Sequence, residues 1–194
     1  MNYKNVMFVL FFLFVSEHNN NAIRHIVAKN PRQPKDGLML PAMLWNDSAC
    51  LKLMPFKAQQ KFNSIKYGPY KSDLCRLFVM YRYGGVYTDQ DIFLFKTPKG
   101  PLLIEETSRW SGSPGLIMNA LMVSDKHNPF FKRAIKIMMT TKENDPHRKG
   151  LWGPWALLKS NPNNFTILKE TCPRNSPCSC GVSGLFKSHD PCRY

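Results

Sequence analysis

The sequence is short of acid: 13 Asp and Glu stand against 27 Lys and Arg, a formal charge of +14. Such a chain attracts polyanions, whether nucleic acid, an anionic membrane surface or a phosphorylated ligand. It also lacks a dense basic run, since no cluster exceeds Lys-Arg or Arg-Lys. A nucleic-acid binder more often concentrates its charge on one helix or arm, so no nucleic-acid partner is expected. Long apolar runs are scarce as well. Residues 6–15 form an uninterrupted stretch of ten apolar residues, too few for a comfortable transmembrane span. Lys4 precedes it and Ser16, Glu17, His18 and Asn19 follow, the layout of a signal peptide. Phe14 stands where cleavage after Ser16 would want a small residue. Residues 1–16 therefore read as a signal peptide or a short uncleaved anchor that associates with the membrane, the alternative being a buried first strand. There is no internal repeat, no low-complexity tract and no paired C-x2-C knuckle of the common zinc modules.

What is present is an ordinary globular composition, 43% hydrophobic and 21% charged over 194 residues, enough for one domain with a proper core. Short strand-like runs alternate with helical patterns, which points to α/β. The six cysteines are many for a reducing compartment. Four of them, Cys172, Cys178, Cys180 and Cys192, crowd the tail 172–194 with His189 among them. Disulfides, free thiols and a zinc site all stay open there. Cys50 and Cys75 fit as buried apolar residues. Asn46-Asp47-Ser48 and Asn164-Phe165-Thr166 are glycosylation sequons.

Residues 71–92, KSDLCRLFVMYRYGGVYTDQDI, carry the most chemistry. Ser72 suits an N-cap and Asp73 the positive end of a helix dipole. Leu74, Leu77, Phe78 and Tyr81 supply one apolar helical face, and Gly84 and Gly85 a left-handed stop. Val86 and Tyr87 start a strand with Asp89-Gln90-Asp91 at or near its end. Residues two apart on a strand point to one side, and two converging carboxylates repel unless a cation joins them. Mg²⁺ and Mn²⁺ take oxygen ligands from such carboxylates and from substrate phosphates.

The ordered set Ser72-Asp73-Leu74-Cys75-Arg76, Tyr83-Gly84-Gly85-Val86-Tyr87 and Asp89-Gln90-Asp91 resembles the sugar-binding region of DXD-type glycosyltransferases. The likeness is to the family of yeast initiating mannosyltransferases, α-1,4-galactosyltransferases and glucosylating clostridial toxins. It implies a GT-A-like α/β fold with a mostly parallel central sheet over residues 17–194. It also implies transfer of a sugar, with retention of configuration, from a UDP- or GDP-sugar to a hydroxyl on a glycan, glycolipid or protein acceptor. Asp91 and Asp89 would hold Mn²⁺ or Mg²⁺, with His189 as a further candidate ligand. Ser72, Asp73, Arg76, Tyr87, Asp89 and Asn119 would contact the donor, with Asp73, Arg76 and Asp91 as the catalytic set. The secretory pathway is the expected location. Two other readings are carried beside this one. One is a basic nucleic-acid-binding module with the tail cysteines as a metal knuckle, and the other a sugar-nucleotide-binding protein without turnover.

Elsewhere, residues 23–28 read as a first core strand and residues 42–45 as a second, with Trp45 approaching a donor base or simply filling core. Pro55 breaks residues 51–62 into short helical pieces. Residues 115–123 read as a strand whose Asn119 either faces the donor sugar or bridges backbone as a structural amide. Asn128-Pro129 begins a helix whose Met138 and Met139 fill core. Gly153-Pro154 opens another helix, in keeping with the family's Gly-Pro segment.

Overall fold

The computed structural model describes residues 7–10, 42–89, 92–106, 115–142, 152–171 and 180–188. Residues 23–28, Gln90, Asp91, His189 and the tail cysteines other than Cys180 lie outside these.

Met7–Leu10 (β1) pairs antiparallel with Ala42–Trp45 (β2). Asn46 then caps Asp47–Leu53 (α1), its side-chain oxygen accepting from the Ala49 N–H at 2.9 Å. Pro55 separates α1 from Phe56–Ser64 (α2), as its ring requires. The long helix Gly68–Tyr83 (α3) follows, with proline in its first turn. Ser72 is therefore not an N-cap. The helix starts four residues earlier because Pro69 is pre-set for a first turn, and Asp73 sits in the second turn, inside the molecule. Gly84 ends α3 with φ +64°, its N–H donating to the Met80 carbonyl. A Cβ there would stand 2.6 Å from the Ser124 carbonyl oxygen, so only glycine lets the chain turn this close to the neighbouring loop.

Gly85–Thr88 (β3), Leu102–Glu105 (β5), Ile117–Ser124 (β6) and Thr166–Lys169 (β7) form the central sheet in the order β3-β6-β5-β7. The expected mostly parallel sheet is corrected here. Among the described strands β3/β6 and β5/β6 are antiparallel, and β5/β7 is the parallel pair. Local periodicity carries burial but not strand direction, so this could not be read ahead. A second sheet, Ile92–Leu94 (β4), Phe186–Ser188 (β9) and Gly181–Val182 (β8), is antiparallel throughout.

Successive residues of a strand face opposite ways, and the two cores divide accordingly. Tyr87, Leu103 and Met122 pack toward α3, Pro129–Thr140 (α4) and Trp152–Lys159 (α5). Val86, Leu102 and Leu121 pack toward Ile92, Leu94 and Phe186 of the second sheet. The molecule is thus layered as helices, central sheet and small sheet.

Asn128 caps α4 through its side chain, with Pro129 in the first turn. A disulfide joins Cys50 of α1 to Cys75 of α3, which corrects the reading of this pair as simple apolar filler. Cys180 is also disulfide-bonded. Trp45 is core, 4% exposed and stacked at 5.5 Å against Tyr83. Among the described residues no helix is long and apolar enough to cross a membrane.

Candidate active site

The site lies where α3 crosses the helix-facing side of the central sheet. Asp73 and Arg76 share one face of α3, three residues apart. Tyr87 and Asp89, two residues apart on and just past β3, point toward that face. Asn119 reaches it from β6. All but Asp89 are buried: Tyr87 is 0%, Arg76 7%, Asp73 8% and Asn119 9% exposed. The Asp89 side chain retains 29% exposure and forms the open edge of the cluster.

Buried polar groups must find partners, and these do. Asn119 Nδ2 donates to Asp73 Oδ1 at 2.6 Å. The Gly153 N–H, in the first turn of α5, donates to Asp73 Oδ2 at 2.9 Å. Arg76 Nη1 donates to Asp89 Oδ1 at 3.0 Å, to Asp89 Oδ2 at 3.2 Å and to the Asn119 carbonyl at 2.9 Å. Its Nε donates to the Ser72 carbonyl at 3.3 Å and lies 3.8 Å from Asp73 Oδ1. The guanidinium also stacks over the Tyr87 ring at 5.1 Å. The Tyr87 hydroxyl donates to Asp89 Oδ1 at 2.6 Å. One arginine thereby ties helix α3 to the residue just past β3 and to the body of β6.

The protonation states follow from these contacts. Burial pushes the Asp73 carboxyl above its ordinary value, opposed by Arg76, Gly153 and Asn119. Burial works against the Arg76 charge, but Asp89, Tyr87 and Asp73 hold it above its ordinary range. Burial also lifts the Tyr87 phenol well above its usual value, so it remains a donor to Asp89.

A carboxylate offers about four lone-pair sites. Asp89 uses three of them on Arg76 and Tyr87, which leaves one on Oδ2 at the open edge. That donor set fits a single oxygen ligand to a hard cation, to a cation-bound water or to a ribose hydroxyl. Asp73 keeps two lone pairs beyond its bonds to Asn119 and Gly153. Among the described residues no cluster of three metal-ligating side chains occurs.

The structure brings together Asp73, Arg76, Tyr87, Asp89 and Asn119. Ser72 contributes its backbone carbonyl, and Asp91 and His189 lie outside the described residues. Asn119 bridges to a carboxylate and not to backbone, which neither sequence reading of it contained. Gly153 is the residue that sequence reasoning missed, having credited the Gly-Pro pair with helix initiation alone. The signal was there in a glycine at a helix start without a turn that needed it.

Residues 16–109 match the family described as the glycosyltransferase sugar-binding region containing the DXD motif. Among curated proteins the chain is 35% identical over 100 residues to inositol phosphoceramide mannosyltransferase 1 of Schizosaccharomyces pombe, covering 48% of this chain and 30% of that one. It is 30% identical over 98 residues to inositol phosphoceramide mannosyltransferase 3 of the same yeast, covering 48% and 27%. It is 25% identical over 115 residues to glucan organizing enzyme 1 of Cryptococcus neoformans, covering 55% and 31%. The matched part is less than a third of the length of each relative. No solved structure is significantly similar to the chain.

Proposed function

We propose that this chain, whose residues 16–109 match the glycosyltransferases with a sugar-binding region containing a DXD motif, moves a sugar from a nucleoside diphosphate to a hydroxyl acceptor. The observation that carries this reading is the buried Asp73–Asn119–Arg76–Asp89–Tyr87 network with one carboxylate at its open edge. In this reading Asp73 accepts hydrogen bonds from sugar hydroxyls with its two remaining lone pairs. Asn119 and the Gly153 N–H fix its rotamer so that no reorganisation is needed when the donor arrives. Arg76, permanently charged, holds Asp89 and faces the donor sugar or phosphate oxygens. Tyr87 keeps the Asp89 carboxylate turned outward.

Asp89 and Asp91 would hold a divalent ion. His189 would be a further candidate ligand. Bound there, Mn²⁺ or Mg²⁺ would offset the negative charge that develops on the departing nucleotide. Two of the matched relatives are named for mannosyl transfer to inositol phosphoceramide. A mannosyl donor is therefore the first to test, and an inositol-bearing phosphoceramide lipid the first acceptor. An N-terminal targeting segment over residues 1–16 and a secretory-pathway location belong to the same proposal.

The test measures release of nucleoside diphosphate from UDP- and GDP-sugars with Mn²⁺, for wild type, Asp91→Ala and Asp89→Asn. Loss of turnover by about a hundredfold or more in Asp91→Ala is expected for a lost charge-stabilising ligand. Equal rates in wild type and Asp91→Ala remove the metal role. Tight donor binding by wild type without any release favours a sugar-nucleotide-binding protein over an enzyme.

A further inference from the structure

A second surface, away from the donor network, has the makings of a binding site. Between α2, α3 and α4 runs a groove of about 400 Å³, within the range of small-ligand clefts. Its floor is apolar: Ala58, Phe78, Tyr81, Ile135 and Met139. Its rim carries Lys57, Lys132 and Lys136, and among the described residues no acidic side chain lines it. At 100° per residue, Phe78 sits about 140° round α3 from Asp73, so the groove opens on a different face of that helix from the donor network.

The charge here is one-sided. Helices α2 (FKAQQKFNS) and α4 (PFFKRAIKIMMT) contain no Asp or Glu. Two of their cations are occupied by the fold. Lys61 donates to the Thr141 carbonyl and lies over the Trp152 ring, and Arg133 donates to the Ser160 carbonyl. Lys57, Lys132 and Lys136 have no ion-pair partner among the described residues. They gather at one apolar rim, which is the arrangement that complements an amphiphile with an anionic head.

One neighbour decides what kind of amphiphile. Phe56, flanked by the groove residues Pro55 and Lys57, is 73% exposed. A peptide helix seated in the groove would leave this ring in water. A planar interface that meets the groove rim would also cover a ring projecting beside it. Exposed aromatics next to lysines, with the lysine stems lying along apolar surface, suit the headgroup region of a bilayer.

We propose that the α2–α4 groove, with Phe56 beside it, docks this protein on an anionic lipid bilayer. The contact is independent of the donor-site reading and of the apolar stretch 6–15. Each lysine near an anionic surface contributes about a fourfold to sixfold increase in partition. Three together make roughly a hundredfold, weakening as salt rises.

The experiment measures sedimentation of the full chain with vesicles of equal parts phosphatidylserine and phosphatidylcholine, and with phosphatidylcholine alone. The variant Lys57→Gln/Lys132→Gln/Lys136→Gln should lose roughly a hundredfold in partition to the anionic vesicles. The charge-matched Lys96→Gln/Lys99→Gln/Lys169→Gln, exposed elsewhere on the surface, should stay within about threefold of wild type because its charges lie outside the contact. Phe56→Ser should weaken binding to the anionic vesicles at unchanged charge. Thermal unfolding by circular dichroism verifies that all variants remain folded. Equal losses in the two triple variants, or equal wild-type binding to neutral and anionic vesicles, overturn the proposal. So does an acidic amphipathic peptide whose binding depends on the three groove lysines while vesicle binding does not.

Discussion

Substituting Gly153 with alanine adds one methyl group and tests the buried network around Asp73 together with the donor role proposed for it. The new Cβ would press into Asn119 Nδ2, 2.7 Å from Asp73 Cγ and 2.9 Å from Asp73 Oδ1. Neither neighbour can yield cheaply. Asp73 is held by the Gly153 N–H itself, and Asn119 sits on the central strand β6. Overpacking of this kind costs about 1–3 kcal/mol, and the hydrogen bond to a charged group that it displaces a further ~1.5 kcal/mol. A sum of about 2.5–4.5 kcal/mol should lower the thermal midpoint by roughly 5–18 °C in a domain of this size. Donor turnover should fall further than stability alone explains, since Asp73 would leave its rotamer even in the folded fraction. The assay pairs circular-dichroism melting with donor binding and nucleotide release, for Gly153→Ala, Asn119→Ala and the double variant. Asn119→Ala vacates the space the new methyl needs, so the double variant should be more stable than the sum of the two single losses predicts. A Gly153→Ala protein with a wild-type midpoint and turnover within about twofold would refute the argument, because the contact at α5 would then constrain nothing. Strict additivity in the double variant would refute the steric route to it.

Three further outcomes follow from the geometry. Cys50→Ser/Cys75→Ser opens a link between residues separated by 25 in sequence, and loop-closure entropy puts the loss at about 3 kcal/mol, measured by denaturant unfolding. Tyr87→Phe removes one of three hydrogen bonds to Asp89, and should cost about 1–2 kcal/mol in stability and weaken metal-dependent donor binding in titration calorimetry. Glu106, half-buried after β5, has its carboxyl raised from 4.5 to about 7 by burial and then by Glu170. The folded protein thus keeps that proton after the unfolded chain has lost it, so this contribution to stability is full below pH 4.5 and gone above about pH 7. Glu106→Gln should therefore stabilise the protein by about 1 kcal/mol near pH 8, after allowing for solvent screening, and leave stability at pH 4 unchanged. An unaltered pH profile of unfolding would contradict this assignment.

The helix, glycine turn and strand over residues 73–88 were legible because each is encoded within a few residues: apolar spacing and a glycine stop. The start of α3 was misplaced because Ser72 is an equally good cap on local chemistry, and tertiary packing put Asp73 inside. Strand direction was not legible, since β3, β6 and β5 find one another across loops that carry no directional signal. The convergence of Asp73, Arg76 and Asp89 could be anticipated because they lie on adjoining elements. The bonds from Asn119 and Gly153 to Asp73 cross 46 and 80 positions, and no periodicity reports on such distances. The Cys50–Cys75 link was hidden for the same reason: it depends on how α1 lies against α3.

Arg76 has a consequence for how this molecule can diverge. A single terminal nitrogen serves a carboxylate beyond β3 and a carbonyl of β6, while the inner nitrogen reaches back one helical turn. A lysine would keep the positive charge yet lack the flat, forked reach that spans these anchors and lies across a phenol ring. A drift from guanidinium to ammonium at this one position would unfasten the helix from both strands together.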